Sequence, residues 1–254
     1  MKNKGLYGFL AIMLLLPLAA CGSLEDFEQG DDAAISSGVD GDLPMVFSRF
    51  TDNVTVYQDD DEIVIETDDI PNHNSPYFPN NDSQYEEPDS NMVVNPNSIA
   101  EQDYVFRIPL EASEADEPTE TNLGAIGVAL NGVVMFNQYA GRTLSGDWLP
   151  LDDEIMTFDR YNGHPAQQDN YHYHLEPLYL TADDPSAQVG VMLDGFPIYG
   201  PEEVDGTTPD DLDECNGHSA ETPDHSEAVY HYHVTEEVPY LIGCYRGTPG
   251  TVSN

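Results

Sequence analysis

Three short motifs occur twice, in the same order, in the second half of this 254-residue chain. The first is an apolar run interrupted by Asn-Gly or Asp-Gly, at residues 126–136 and again at 189–199. An Asn-Gly-His triplet and then the tetrapeptide Tyr-His-Tyr-His follow each run. Because three distinct motifs recur in one order, the sequence predicts an internal duplication with repeats at about 125–174 and 189–233.

The local patterns favour strands over helices. A Gly-containing pair between two apolar runs is typical of a tight turn joining antiparallel strands, and residues 54–57, 63–66 and 104–109 also have strand patterns. Residues 71–100 and the acidic stretch 111–121 read as loops. We therefore expect a mainly β fold of duplicated hairpin and strand units, joined by long irregular loops and related by a pseudo-twofold arrangement.

Each repeated tetrapeptide places two histidines on one face of a strand. Side chains alternate along a strand, so His172 and His174 point one way and their neighbouring tyrosines the other, as do His231 and His233. If the repeats pair about a twofold axis, four imidazoles can surround one ion at about 2.0–2.1 Å. The best interpretation is a shared metal site, although the sequence leaves open one site in each repeat.

Histidine chemistry indicates which ion is expected. Neutral imidazole suits zinc, copper, iron or nickel, so we expect copper or zinc. His164 and His218, from the two triplets, can complete or orient the set, and Asp169 and Glu176 are candidate partners for the second ring nitrogen. The alternative is a hydrogen-bonded core ladder in which backbone groups satisfy the histidines.

The acidic composition offers other readings. With 48 Asp+Glu against 7 Lys+Arg, the formal net charge is −41, which excludes nucleic acid and anionic lipid headgroups as partners. A hydrated surface suited to saline surroundings, recognition of cationic partners and calcium binding are the alternatives for this charge. The calcium candidates crowd around Gly206 without the EF-hand spacing: Asp205, Asp210, Asp211, Asp213 and Glu214.

The first residues have the form of an export signal. Two lysines precede an apolar run at 6–16, which is too short to span a bilayer permanently, and small residues lead up to Cys21. This segment resembles the bacterial lipobox, in which the cysteine is acylated. That resemblance implies a lipid anchor, and Gly22 favours the outer membrane by resemblance to Gram-negative sorting.

We therefore expect three regions: a lipoprotein signal peptide at 1–20, an acidic flexible tether at 21–44 and one domain at 45–254. The domain would be extracytoplasmic, facing the periplasm or the cell surface. With Cys21 lipidated, Cys215 and Cys244 remain as an even pair in an oxidising compartment, which predicts a disulfide worth about 3 kcal/mol. A cysteine-based metal site is the alternative.

The motifs resemble the YHYH domain family of exported bacterial proteins, named for the tetrapeptide, over roughly residues 64–250. The resemblance implies an exported protein, supplies no enzyme activity and suggests that His73 joins the six repeat histidines. Its further segments are 70–73, 126–136, 195–201, 212–218 and 242–247.

The sequence leaves three functions open. The first is a non-catalytic metal-binding module for storage, sensing or delivery. The second is a hydrolytic or oxidative metalloenzyme with three histidine ligands, an open position and His164 or His218 as general base. The third is an acidic cell-surface structural or adhesion protein without metal. Four protein ligands around the ion would favour binding, and three beneath an open cleft would favour catalysis.

Overall fold

The computed structural model describes residues 43–254. The predicted signal, Cys21 and nearly all of the predicted tether lie outside these residues. Within them, none of the helices has both the length and the apolar composition needed to cross a membrane.

The described chain is mainly β, as the sequence predicts. The helical elements are one turn of α-helix, α1 (Leu178–Thr181), and four short 3-10 turns (Met45–Phe47, Leu151–Asp153, Ile155–Thr157 and Gln167–Asp169). The strands in chain order are β1 (Thr55–Asp59), β2 (Glu62–Thr67), β3 (Tyr104–Pro109), β4 (Glu114–Glu120), β5 (Ala125–Ala129), β6 (Val134–Phe136), β7 (Tyr139–Arg142), β8 (Trp148–Pro150), β9 (Gly163–Pro165), β10 (Tyr171–Tyr173), β11 (Gln188–Met192), β12 (Pro197–Tyr199), β13 (Gly217–Thr222), β14 (His225–His233), β15 (Cys244–Gly247) and β16 (Thr251–Ser253).

A four-stranded antiparallel sheet in the order β1-β2-β3-β16 covers one side of the core. Its strands alternate as their sequences predict: Tyr104, Phe106 and Ile108 of β3 are buried, and the residues between them are half-buried. The buried set is part of one hydrophobic cluster that also includes Val128 and Val191 of the second sheet. Burial of apolar surface therefore ties the two sheets together.

The second sheet has eight strands in the order β13-β14-β12-β11-β5-β6-β10-β9. Both predicted hairpins are present, β5–β6 and β11–β12. Gly132 and Gly195 in their turns have φ of +87° and +86°, a left-handed backbone that glycine adopts readily. The two hairpins meet at the centre of the sheet, where β5 pairs antiparallel with β11.

The two halves of this sheet agree in the type and order of their pairings. In the first half β10 lies parallel to β6 and β9 antiparallel to β10. In the second half β14 lies parallel to β12 and β13 antiparallel to β14. Tyr173 is opposite Met135 and Tyr232 opposite Ile198, at corresponding motif positions. This agreement concerns the strand pairings alone, and the duplication of the chain and its pseudo-twofold symmetry remain predictions.

One predicted loop is wrong and one is confirmed. Within the acidic stretch 111–121, residues 114–120 form β4, which pairs antiparallel with β15. That partner lies more than a hundred residues away along the chain, so nothing local in the acidic sequence marks the strand. Residues 71–100 form the predicted loop: they contain no strand, only an isolated β-bridge between Ser75 and Tyr85.

The predicted disulfide between Cys215 and Cys244 is present. It fixes β15 to the turn that precedes β13, and the Gly243 N–H donates to the Cys215 carbonyl beside it. A metal site built on these two cysteines is therefore excluded for this state of the chain.

Two candidate metal centres

The six repeat histidines form two groups rather than one. Cluster one consists of His164, His172 and His174; cluster two consists of His218, His231 and His233 together with Glu203. In each cluster one side-chain atom per residue lies within 4.8 Å of every other. In the part of the chain that the structure describes, these are the only such groups of three or more candidate ligands.

The predicted single site shared by both His-x-His pairs is wrong. The pair of cluster one lies on and directly after β10, and the pair of cluster two ends β14. Four strands, β12, β11, β5 and β6, separate β14 from β10. At about 4.8 Å per strand, five steps amount to roughly 24 Å. Because the hairpins occupy the centre of the sheet, the two tetrapeptides lie near its opposite edges.

Cluster one is built by two antiparallel strands. His164 of β9 is opposite His172 of β10 in the register, and His174 follows two residues later on the same face. The Nε2 atoms of His164 and His172 are 3.1 Å apart, and those of His172 and His174 are 3.0 Å apart. Phe136 stacks on the His172 ring at a centroid distance of 4.2 Å and fixes its plane.

The other ring nitrogen of each cluster-one histidine donates to an oxygen. His172 Nδ1 lies 3.2 Å from the Asn170 carbonyl, and His174 Nδ1 contacts the Asn137 carbonyl. His164 Nδ1 lies 2.6 Å from Thr157 Oγ1, whose own proton goes to a backbone carbonyl. Since these oxygens all act as acceptors, each Nδ1 carries the proton and each Nε2 presents a lone pair.

The proposed carboxylate partners of cluster one are wrong. Asp169 accepts the Ser98 N–H, and Glu176 accepts the Thr181 hydroxyl. The Nδ1 atoms contact the Thr157 hydroxyl and two backbone carbonyls instead.

Cluster two repeats the arrangement with one addition. His218 of β13 is opposite His231 of β14, and the Nε2 atoms of His231 and His233 are 2.9 Å apart. Glu203 supplies a carboxylate whose Oε1 lies 3.0 Å from His218 Nε2 and 4.0 Å from His233 Nε2. The sequence motifs gave no signal for Glu203, which lies on the irregular segment between β12 and β13.

The Nδ1 partners of cluster two occupy the same relative positions. His231 donates to the Val229 carbonyl at 2.9 Å and His233 to the Gly200 carbonyl at 2.7 Å. His218 Nδ1 lies 2.6 Å from the Asp211 carboxylate. Asp211 precedes its histidine by seven residues, as Thr157 precedes His164. A carboxylate in this place orients a metal-binding histidine and raises its basicity.

In each cluster the ligand nitrogens of three imidazoles lie close together, an arrangement that could hold a metal ion. Burial is the main cause that lowers the pKa of His164 to about 3 and of His174, His231 and His233 to about 4, so near neutral pH these rings are uncharged and their Nε2 lone pairs carry no proton. The buried Nε2 of His218 makes no hydrogen bond, although Glu203 Oε1 lies 3.0 Å away, because a neutral imidazole with its proton on Nδ1 has none to donate from Nε2. A tetrahedral zinc ion holds its ligand nitrogens roughly 3.3 Å apart, close to the separations in both clusters.

The tyrosines of the tetrapeptides face the opposite side, as predicted. Tyr171 OH donates to Asp159 at 2.7 Å and Tyr230 OH to Asp213 at 3.0 Å. Each aspartate also accepts the glycine N–H of its Asn-Gly-His triplet. These aspartates hold each histidine strand against its neighbour. The sequence does carry a signal for these aspartates, since each lies five residues before its triplet histidine.

His73 belongs to neither cluster, so its expected place with the six repeat histidines is wrong. Its Nδ1 lies 3.0 Å from the Asn74 carbonyl and its Nε2 2.8 Å from Tyr173 OH. Both ring nitrogens are therefore occupied on the tyrosine side of β10, where Tyr161 packs on the ring at 4.4 Å.

The acidic residues around Gly206 do not assemble into an oxygen-rich ion site within the described residues. Asp205 accepts the N–H and hydroxyl of Thr207, and Asp213 accepts the Cys215 N–H. Asp211 serves cluster two instead. These contacts give calcium binding at this loop no support.

Comparison with known families agrees with the motifs. The chain matches the family described as YHYH protein over residues 105–210 and 202–247, which together span more than half of it. These ranges contain both histidine clusters and Glu203. Neither the curated proteins nor the solved structures gave a match.

Proposed function

The chain belongs to the YHYH protein family, and we propose that it binds two transition-metal ions, one zinc or copper ion in each histidine cluster. The observation that carries this proposal is the same in both clusters. Three imidazoles have their Nδ1 protons committed to fixed acceptors and turn their Nε2 atoms toward one another. Imidazole nitrogen is a ligand for zinc and copper rather than for calcium or magnesium.

Metal content tests the proposal directly. Untagged protein loaded with zinc and then desalted should retain two ions per chain. His172→Asn and His231→Asn should each retain one, because asparagine keeps a donor near the Nδ1 position and removes Nε2. The double variant should retain none. Elemental analysis by mass spectrometry gives the ratio.

His225→Asn is the matched control, since His225 lies in β14 outside both clusters. It should retain two ions. Full occupancy in the double variant, or wild-type protein that retains neither zinc nor copper after loading with each, would refute the proposal.

We further propose that the protein is held outside the cytoplasm by a lipid on Cys21. Support comes from the signal-like sequence before this residue and from the disulfide, which is typical of oxidising compartments. Cys21→Ala should move the protein from the membrane fraction to the soluble fraction of the cell, as measured by immunoblotting. Cys21→Ala protein that stays in the membrane fraction would argue against lipid anchoring.

A metal-dependent enzyme is the second candidate, and one observation favours it. Cluster one opens onto a cleft of about 460 Å³. Glu154 lines this cleft with a carboxylate oxygen 3.9 Å from His164 Nε2. His164 and His218 do not fit the expected role of general base, because their Nδ1 atoms contact Thr157 and Asp211 and their Nε2 atoms would bind the proposed ion. Glu154 is the group placed to accept a proton beside cluster one.

A further inference from the structure

We infer that the two clusters hold their ions differently: Glu203 closes the ion site of cluster two, whereas the ion of cluster one keeps a coordination position open to a small neutral donor ligand. This inference rests on the proposed metal binding. Cluster two would then be a closed, structural site, and cluster one an open site whose ion can exchange an outside ligand.

Cluster two has a complete set of four protein ligands. The Glu203 carboxylate lies within 4.8 Å of the ligand nitrogens of all three histidines and its side chain is only 16% exposed. The pocket that Glu203 lines together with His231 and His233 has no room for a water molecule. Three histidines and a carboxylate complete the tetrahedral coordination that structural zinc sites use.

Cluster one lacks the fourth ligand. Among the described residues, no carboxylate or further ring joins its three histidines within the same 4.8 Å, because Glu154 approaches only from the His164 side. All three rings instead line the wall of the 460 Å³ cleft. An ion held there by three Nε2 atoms has its remaining position toward the cleft.

The sequence after each hairpin is consistent with this contrast. Phe136 and Tyr199 end the second strands of the two hairpins, and Glu203 comes four residues after Tyr199. Four residues after Phe136 the chain has Ala140, which lines the cleft of cluster one. An alanine methyl group cannot bind an ion, so the position that Glu203 fills in cluster two stays empty of protein ligands in cluster one.

The cleft favours a neutral ligand. The described residues that line it include no lysine or arginine, and they include Glu154, Asn137 and Tyr139. The ion itself would attract an anion at close range, but in a chain of net charge −41 an anionic ligand would approach against the long-range field of the protein. A small neutral molecule with a nitrogen lone pair fits both the charge and an ion of this type. Imidazole is the simplest probe of that class.

Cobalt(II) spectroscopy separates the two sites. Loaded with cobalt, His231→Asn protein has its ion in cluster one and His172→Asn protein in cluster two. Imidazole should change the visible spectrum of the first in a saturable way. The change in the second should be at least ~10-fold smaller, because a closed four-ligand site offers no position.

His233→Asn and His174→Asn serve as second variants if either protein fails to fold. An unresponsive cluster one, or a cluster two that responds equally, would overturn the inference while leaving metal binding intact. Failure of the proposed function gives a different result, because the protein would then retain no cobalt before imidazole is added.

Discussion

Removing the two proposed ions with a strong chelator should lower the free energy of unfolding of this protein by several kcal/mol. An ion that binds only the folded chain stabilises it by about 4 kcal/mol when the free ion is at about a thousand times its dissociation constant. Two clusters then contribute about 8 kcal/mol, a large part of the 5–15 kcal/mol typical of a whole domain. At about 2–4 °C per kcal/mol, the melting temperature should fall by roughly 15–30 °C. Calorimetry of zinc-loaded and chelated protein measures the change.

Two controls connect this effect with the clusters. His172→Asn and His231→Asn should each lose about half of the zinc-dependent stabilisation, because each retains one site. Magnesium at the same concentration should not restore the melting temperature, since it prefers oxygen ligands. Equal melting temperatures for the loaded and the chelated wild-type protein would contradict the account.

Acid should destabilise the metal-free protein steeply below pH 6.5. In the fold, burial holds the pKa of His174, His231 and His233 at about 4, against about 6.5 in the unfolded chain. Between these values the unfolded chain binds protons that the folded chain does not, so the free energy of unfolding falls as pH decreases through this window. At about pH 5 each such histidine lowers the free energy of unfolding by about 2 kcal/mol.

Other buried groups oppose part of this loss. Burial raises the pKa of Asp69 and Asp194, so these carboxyls bind protons in the fold at higher pH than in the unfolded chain and favour the fold as pH falls. Three histidines at about 2 kcal/mol each nevertheless give a loss on the order of 6 kcal/mol before this compensation. Urea unfolding of chelated protein between about pH 7 and pH 5 measures it.

Zinc-loaded protein is the matched control for the acid effect. Protons must displace the ion before they bind the ligand nitrogens, so its stability should persist to lower pH. A metal-free protein of constant stability from about pH 7 to pH 5 would be inconsistent with buried, neutral histidines.

Much of the local structure was predictable from the residues themselves. The Asn131-Gly132 and Asp194-Gly195 pairs specify tight turns, because glycine adopts the positive φ that those turns need. Alternation in 104–109 specifies a strand with one buried face. The same alternation places His172 and His174 on one side of β10, which is why each pair lies within one cluster, as the sequence predicts.

The order of the strands was not predictable, and it decides the number of sites. β10 reaches β6 and β14 reaches β12 through parallel crossovers, while the hairpins take the centre of the sheet. No residue in either tetrapeptide specifies that arrangement. Twofold pairing of the tetrapeptides satisfied the same alternation and led to the single shared site, which is wrong.

The remaining parts of the sites come from irregular segments. Glu203 and Asp211 lie on the acidic stretch between β12 and β13, where composition suggested solvent exposure or calcium rather than a ligand and its partner. Glu154 lies between two short 3-10 turns. Such side chains are positioned by tertiary contacts, so periodicity along the chain carries no signal for them.

The most direct test of two separate histidine sites is crystallography of the zinc-loaded protein with anomalous scattering measured at the zinc absorption edge. We predict two strong peaks, one about 2.0–2.1 Å from the Nε2 atoms of each histidine trio, with Glu203 on the second ion only. A single peak joining both tetrapeptides, or no peak at either trio in fully loaded protein, would contradict the account.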